Sequence, residues 1–396
     1  MTTRARSVIL ASLVGTAIEF YDFFIYGTAA ALVFSTVFFA EDNPLGAYAT
    51  FAVAFLSRPL GSAIFGHWGD RAGRKSTLVV SLLLMGGSTV AIGVLPGYAA
   101  IGVAAPILLT LLRFTQGIGL GGEWGGAALL AAEYAPEGRR GRYAVFPQLG
   151  PPAGFLLANG AFLAIMAVMD EADFRAWGWR LPFLASLVLV LVGLYVRLRI
   201  AETPVFLAAT ARARVPLREL PWGRVLLGAG AMVIAYTLFY VATTYCLSYG
   251  TAILGVPKQR MLALIMLGVV FMAAGTVVSA RLSDRFGRRR TLIAGTLLAI
   301  AVGPFIVWLP VGPVAALGVM GLVYGPMGAY LPELFRTECR YSGASVSYAL
   351  GGVLGGAVPP LIATLLGAGV GWYVCAMAVL SLLCLLALPE TADLRL

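Results

Sequence analysis

Apolar residues along this chain come in long unbroken runs, not in the alternation of a half-buried strand or the single stripe of a soluble helix. Runs of about 20 such residues cross a hydrocarbon core of about 30 Å as helices. Twelve spans are predicted: Val8–Phe39, Ala47–Phe65, Ser76–Leu95, Ile101–Ala127, Tyr143–Met169, Leu181–Val196, Val225–Tyr249, Leu262–Ala280, Thr291–Leu309, Val314–Leu331, Ala344–Leu366 and Trp372–Leu388. Two of the polar stretches between them are related. GHWGDRAGRK (Gly66–Lys75) reads as a charged loop after the second span, and ARLSDRFGRRR (Ala280–Arg290) follows the eighth. Asp70, Gly73 and Arg74 match Asp284, Gly287 and Arg288, and Glu133 with Arg140 is echoed by Glu333 with Arg340. Two motifs recurring half a chain apart predict an internal duplication: a bundle over 1–196, a cytoplasmic linker over 197–224 with one surface helix, and a second bundle over 225–396. The expected fold class is an all-α integral membrane protein of twelve transmembrane helices in two pseudo-symmetric six-helix bundles. Repeats in a membrane protein are the mark of a transporter, not an enzyme.

Composition agrees. The chain is 60% hydrophobic and 12% charged, with mean hydropathy +0.90, against roughly 45–50% apolar and 25% charged in soluble domains. Its 48 glycines and 21 prolines are tolerated in spans because neighbouring helices re-satisfy freed backbone groups. The net charge of +10 does not imply nucleic acid, because the basic residues are sorted by side. Only Arg175, Arg180, Lys258 and Arg260 fall in outer segments, which also carry Glu41, Asp42, Asp170, Glu171 and Asp173; Arg58 and Arg113 lie within spans. By the positive-inside rule both termini are expected in the cytoplasm of a multi-pass plasma (inner) membrane protein, its basic side attracted to anionic headgroups. MTTRARSVILAS lacks a small-residue cleavage site, so the first span is expected to be retained. Cys246, Cys339, Cys375 and Cys384 show no metal spacing, and His67 is the single histidine, so no metal, disulfide or cofactor is expected. GIGLGG (Gly117–Gly122) follows no strand, which removes a dinucleotide site; Gly117, Gly121 and Gly125 read instead as a small-residue packing ridge. A monomer is expected.

Candidate chemistry lies in the charges inside the spans. Glu19, Asp22 and Tyr26 recur on one face of the first helix, with Asp22 about 22 Å along it from Ser7. An intramembrane carboxylate is by default functional, facing a cavity or a cation; the plainer alternative is an ion pair that pins helices together. By depth, Asp22 is level with Arg113 and Glu123 with Arg58, so two buried pairs are expected. Gln148 and Asn159 share a face of the fifth span and suit either a ligand or a helix contact, and GPPAG (Gly150–Gly154) bends that span. Tyr236, Tyr240 and Tyr324 lie several turns from any span end and so suit a cavity lining as well as an interface belt.

These motifs resemble those of a major facilitator superfamily transporter, and more narrowly of the metabolite:proton symporter family. The general superfamily feature is GHWGDRAGRK; the narrower ones are IEFYDFFIYG, FLSRPLGSAIFGHWGD, RFTQGIGLGGEWGGA, WGWRLPF, ETPVF and ELFRTECRYSGAS, together covering nearly the whole length. The resemblance implies the major facilitator fold and import of small carboxylates or zwitterions such as oxoacids, citrate, shikimate, proline and betaines. In related sugar:proton symporters a first-span acid and a fourth-span arginine couple the proton, and the matching positions here are Asp22 and Arg113. Osmosensing members carry a long C-terminal coiled coil that this sequence lacks after Leu388, so no osmotic role is expected. Ala280 stands where the first copy has Gly66, which predicts a looser second gate.

The resulting expectation is secondary active transport: proton-coupled import of a small carboxylate-bearing metabolite or zwitterion by alternating access, driven by the proton gradient without a cofactor. Protons would be carried by Asp22 with Arg113, or by Glu123. The substrate would be bound by Arg58, Arg113, Glu19, Tyr26, Gln148, Asn159, Tyr236, Tyr240 and Tyr324. Arginine's planar fork suits a carboxylate, and the uncharged aromatic second half suits a ring or, by cation–π contact, a quaternary ammonium. The alternative is proton-coupled efflux, whose fifth-span glycine series is only partly present: Gly150-Pro151 is there, but Phe146 is not glycine. A sensor without transport ranks last. Asp70 and Arg74 are expected to meet Glu133 and Arg140 at the cytoplasmic face when the cavity opens outward, with Asp284, Arg288, Glu333 and Arg340 doing likewise.

Overall fold

The computed structural model describes residues 3–41, 43–72, 74–136, 138–198, 220–308, 310–359, 362 and 366–392. For 3–11, 44, 45, 48, 69–72, 74, 75, 130, 132, 133 and 338 only the backbone path is described. Among these residues every regular element is helical. The helices are α1 (Ser12–Val37), α2 (Ala49–Trp68), α3 (Ser76–Val94), α4 (Ala104–Leu129), α5 (Arg140–Val168), α6 (Gly178–Leu198), α7 (Trp222–Ala252), α8 (Lys258–Phe286), α9 (Arg288–Val302), α10 (Val311–Glu333), α11 (Arg340–Gly352) and α12 (Gly367–Ala387). Ten of them are long and apolar enough to cross a membrane. The remaining two are α9 and α11, and α11 runs on through a π-turn to Ala357.

The helices form two pseudo-symmetric six-helix bundles. In the first, α1 packs on α5, α2 on α4 and α3 on α6; in the second, α7 packs on α11, α8 on α10 and α9 on α12. Each pairing of the first half is repeated six helices later. The halves meet where α2 crosses α11 and where α5 crosses α8 and α10. Burial sorts central helices from peripheral ones: 89% of the α7 window and 78% of the α1 window are buried, against 33% for α6 and α12. Leu187, Val188, Leu191, Leu383 and Leu386 on those outer helices are exposed, as a lipid-facing surface requires.

Close packing rests on small residues. A Cβ at Gly61 would strike the Ile118 carbonyl, one at Gly117 would strike Ala54 and Ser57, and one at Gly121 the Arg58 carbonyl. Without a hydrophobic driving force between helices in lipid, such backbone approach supplies the contact energy. Gly321 on Met272 and Gly325 on Thr276 and Ser279 repeat the arrangement between α10 and α8. Gly125, expected on the same ridge as Gly117 and Gly121, turns instead to Ser345 and Tyr341 of the other half. At the opposite face Trp179 of WGWRLPF is enclosed by Phe34, Phe38 and Phe183 at centroid distances of 5.4–5.8 Å, while Arg180 Nη1 donates to the Gly93 and Leu95 carbonyls at 2.8 Å.

Two expectations about connecting segments need correction. The charged motif stretches are not loops: helix continues from Pro44 through Ala72 and from Lys258 through Phe286. In the second copy the whole turn is Gly287, with φ 98° and ψ 151°, after which α9 starts at Arg288. Only glycine adopts such a backbone cheaply, so one residue reverses the chain and the charges sit on helix ends. The expected linker likewise begins and ends inside helices, since Arg197 is buried in the last turn of α6 and Arg224 lies in the first turn of α7; residues 199–219 lie outside the described set. The bend expected at GPPAG occurs at Leu149, between helical segments ending at Gln148 and starting at Gly150.

The glycine contacts yield a paired prediction. Gly121→Val should lower stability in detergent by about 1–3 kcal/mol, the range for overpacking a tight site. Gly160→Ala, where a Cβ would meet nothing within 4 Å, should leave the thermal midpoint nearly unchanged. Equal midpoints for both variants would refute a packing role for the α2–α4 contact.

Candidate functional site: buried charges facing an aromatic cavity

Among the described residues the first half buries seven charged side chains, and the partners of those inside the spans differ from those inferred by depth. Asp22 is fully buried; its Oδ1 accepts from the Ser186 hydroxyl of α6, and the Thr89 hydroxyl of α3 lies beside it. No direct ion pair joins it to Arg113. Instead Arg113 Nη1 donates to Gln116 Oε1 at 2.9 Å, and Gln116 Nε2 donates to Thr89 Oγ1 at 2.7 Å. Thr89 Oγ1 in turn donates to the Met85 carbonyl at 2.9 Å, so polar groups lie between carboxylate and guanidinium without one continuous hydrogen-bond chain. The expected Arg58–Glu123 pair is also absent. Arg197 of α6 takes Glu123 and Glu19 together, because its side chain reaches into the bundle between α1 and α4. Glu19, expected at the substrate, is clasped there with no surface for a ligand.

Arg58 and Arg113 are therefore left without a carboxylate. None of the three Arg58 nitrogens has a hydrogen-bond partner, nor do Arg113 Nε and Nη2. Both guanidiniums rest on the Phe23 ring, at 4.9 Å for Arg58 and 4.5 Å for Arg113. Arg113 also stacks on Tyr26 at 4.0 Å, and Arg58 on Phe55 at 5.4 Å. Tyr26 is fixed beneath the cation by its hydroxyl, which donates to Thr50 Oγ1 at 2.7 Å. Cation–π contacts of this kind are each worth about 0.5–2 kcal/mol. They hold the guanidinium planes but leave their N–H edges free.

Facing these cations is the aromatic surface of the second half. Tyr236, Tyr240, Tyr324 and Tyr348 all lie within the field of Arg58. They line a narrow cavity of about 20 Å³ with Phe20, Phe24 and Phe239. Tyr324 and Tyr348 hydroxyls are 3.2 Å apart, and Tyr348 stacks flat on Trp124 at 3.9 Å. Gln148 fastens this wall, accepting from Trp124 Nε1 and donating to the Tyr324 carbonyl, both at 2.7 Å. Asn159 lies apart: it accepts from Thr28 at 3.0 Å and lines a second cavity of about 40 Å³ toward the opposite face. Phe24 and Tyr240 line both cavities and divide them. The second cavity is also lined by Ala31, Thr243 and Thr244, which lie in π-turns at Ala30–Phe34 of α1 and Val241–Tyr245 of α7. Such turns interrupt the i→i−4 ladder and recur at functional sites.

The motif face is closed by contacts between the halves. Asp284 Oδ1 accepts from the Gly141 amide at 2.8 Å and Oδ2 from the Arg142 amide at 3.0 Å. Asp284 also binds Arg288 Nη1 at 2.6 Å. Glu333 receives Arg288 Nε at 3.4 Å and, from the other half, Arg140 Nη1 at 3.6 Å. Thr391 donates to Glu333 at 2.6 Å, while Glu390 caps α9 by accepting from the Arg288 and Arg289 amides at 2.7 and 3.1 Å. Arg340 donates to the Phe335 carbonyl at 3.2 Å. The side chains of Asp70, Arg74 and Glu133 lie outside the described residues. Contrary to the expectation for Ala280, packing there is tight: Gly141 sits against the Ala280 carbonyl, as Gly66 sits against Ser342.

Sequence reasoning missed Gln116, Thr89, Ser186, Arg197, Trp124 and Tyr348. Gln116 alone left a signal, one helical turn from Arg113. The others are ordinary span residues until the helices are placed.

The profile of the "Sugar (and other) transporter" family matches residues 7–220 and 217–396. The chain belongs to that family. It is a major facilitator superfamily transporter of metabolites. It is 49% identical over 415 residues to the inner membrane metabolite transport protein YhjE of Escherichia coli strain K12, covering 98% of this chain and 94% of the relative. It is 39% identical to the shikimate transporter of the same organism, covering 92% and 88%. Among solved structures it superimposes on the proton:xylose symporter XylE bound to 6-bromo-6-deoxy-D-glucose with a TM-score of 0.81 at 20% identity, over 98% of this chain and 97% of the other. That likeness establishes the shared fold.

The contacts of Asp284 generate a prediction about the closed face. Asp284→Asn removes the charge that holds two amides and Arg288, and one charge-assisted contact is worth about 1.5–3 kcal/mol. The balance between the two open states should shift about tenfold or more. The readout is thiol labelling of Thr244→Cys, in the cavity toward the opposite face, in a protein lacking the four native cysteines. Labelling should slow; an unchanged rate would mean that Asp284 does not hold the face shut.

Proposed function

We propose that this transporter imports a small monocarboxylate, with a ring or short apolar body, together with protons across the inner membrane. The observation that carries this reading is the pair of guanidiniums, Arg58 and Arg113, both buried against Phe23, with all three Arg58 nitrogens and two of Arg113 lacking an acceptor and no carboxylate on either among the described residues. A buried cation without a counter-charge costs several kcal/mol, and two together repel. A carboxylate between them relieves both penalties and accepts from planar forks that match its shape. The four tyrosines then enclose the body of the substrate. Shikimate, a ring acid named for one relative, fits this division.

Asp22 is the proposed proton carrier. When ionised its charge supports Arg113 across Thr89 and Gln116; once protonated from the periplasm it withdraws that support, and the substrate carboxylate replaces it. Substrate and proton then enter together. Rocking of the halves opens the motif face, which the positive-inside rule assigns to the cytoplasm with both chain termini. The closed contacts of Asp284, Arg288, Glu333 and Arg140 at that face would be the gate, and Asp70, Arg74, Glu133 and Arg340 their counterparts in the duplicated motif. Each pH unit contributes about 1.4 kcal/mol per proton.

Uptake into proteoliposomes tests this. Asp22→Asn should abolish uphill accumulation while retaining exchange of internal for external substrate. Arg58→Met or Arg113→Met should raise the half-saturating concentration about 10- to 100-fold, the loss of a charge-assisted contact of about 1.5–3 kcal/mol. Proton-driven accumulation surviving in Asp22→Asn would move the carrier elsewhere. Unchanged affinity in both arginine variants would remove the carboxylate site.

A further inference from the structure

One cluster of buried charge takes no part in the site above. Arg197 lies between Glu19 of α1 and Glu123 of α4, with side-chain exposures of 6%, 1% and 0%. Neither glutamate has any other hydrogen-bond donor. The remaining neighbours are few. Arg197 also donates to the Leu78 carbonyl of α3 and is given room by Gly15 on α1, where a Cβ would lie 3.1 Å from it. From α11 the Tyr341 ring approaches, its hydroxyl donating to the Gly122 carbonyl. Among the described residues no second cation reaches either carboxylate.

The charges do not balance. Two carboxylates against one guanidinium leave a net negative charge in a dry site, and two carboxylates sharing one site do not both ionise readily. We propose that Glu19 and Glu123 form a second proton-binding site, one proton shared between the two carboxylates around Arg197. Its role in transport rests on the reading of this protein as a proton-coupled importer; its existence does not.

The position of Glu123 connects the site to the cycle. Glu123 opens the second segment of α4, directly after Gly122, whose carbonyl is held by Tyr341 across the interface between the halves. Trp124, the next residue, stacks on Tyr348 of the same partner helix. Parting the halves at the motif face withdraws Tyr341 and Tyr348 together, admits water to Glu123 and lets the proton leave to that side. With the proton on Asp22, two protons would then accompany one monoanion. Uptake would move net positive charge inward, and the accumulation limit would gain a further factor of about ten per pH unit.

The infrared carbonyl stretch of a protonated carboxyl group reads the shared proton directly in purified, lipid-reconstituted protein without substrate. Asp22→Asn serves as the background, removing any contribution from Asp22. At neutral pH that variant should keep a protonated-carboxyl band. Adding either Glu123→Gln or Glu19→Gln should abolish it, because one carboxylate then matches one guanidinium. Two alternative substitutions guard against one of them misfolding. No band in Asp22→Asn, or a band surviving both double variants, would overturn the proposal. In the cycle, with shikimate as the probe, reversal potentials should give two protons per substrate for the unmodified protein and one for Glu123→Gln; equal ratios would overturn the second proton's role. Shikimate not being carried would sink the substrate reading alone, since the infrared result stands by itself.

Discussion

Every buried guanidinium in this protein must find negative charge or remain a standing cost, and the structure divides its arginines by how that demand is met. Arg197 has two carboxylates and Arg288 has Asp284 and Glu333. Among the described residues Arg58 has aromatic faces only, and Arg113 adds to them a single hydrogen bond to the neutral Gln116. The first group is satisfied by the protein and ties helices together. The second is satisfied incompletely, and that deficit is the ground for the anionic substrate proposed above. Aromatic rings are well suited to the task, since they orient a guanidinium without competing for its N–H edges.

The two bundles share a packing scheme but not a chemistry. Glycines bring α2 to α4 and α8 to α10 in the same way, so the duplication survives as geometry. Among the described residues Glu19, Asp22, Arg58, Arg113 and Glu123 of the first bundle face a second bundle that offers tyrosines at the central cavity. In the proposed function a polar headgroup and an apolar body fall to opposite halves, so that the ligand would span both. Such a ligand acts on the conformational balance through its different contacts in the two states, which is the thermodynamic requirement for coupling.

Much of this was legible in the sequence, and the limit has a physical form. Span number, the duplicated motif and the identity of the costly residues all follow from hydropathy and spacing, because those depend on position along the chain. Azimuth does not, since it depends on which helices are neighbours. Arg113 and Asp22 were expected to pair, yet Gln116 and Thr89 stand between them. Arg58 and Glu123 were placed at one level and face different ways. Arg197 was misread as linker because it closes an apolar run, where an arginine ordinarily marks the water boundary; here it turns inward to two glutamates. The charged motifs were misread as loops because polarity was taken for irregularity, whereas one glycine suffices to turn the chain.

The contacts at the closed face are ones that the halves can exchange for water. Asp284 bridges the halves to backbone amides of Gly141 and Arg142, groups that water can satisfy equally well once the halves part. Arg140 reaches Glu333 at 3.6 Å, a loose contact, while Glu333 keeps Arg288 and Thr391 within its own half. Opening therefore costs the interface without leaving a buried carboxylate bare. The exchange of small residues follows the same logic. Ala280 occupies the position of Gly66, and the space it removes is returned by Gly141 on the facing helix. What the closed state requires is one small residue at each crossing, and which helix supplies it is immaterial to the approach of the two backbones.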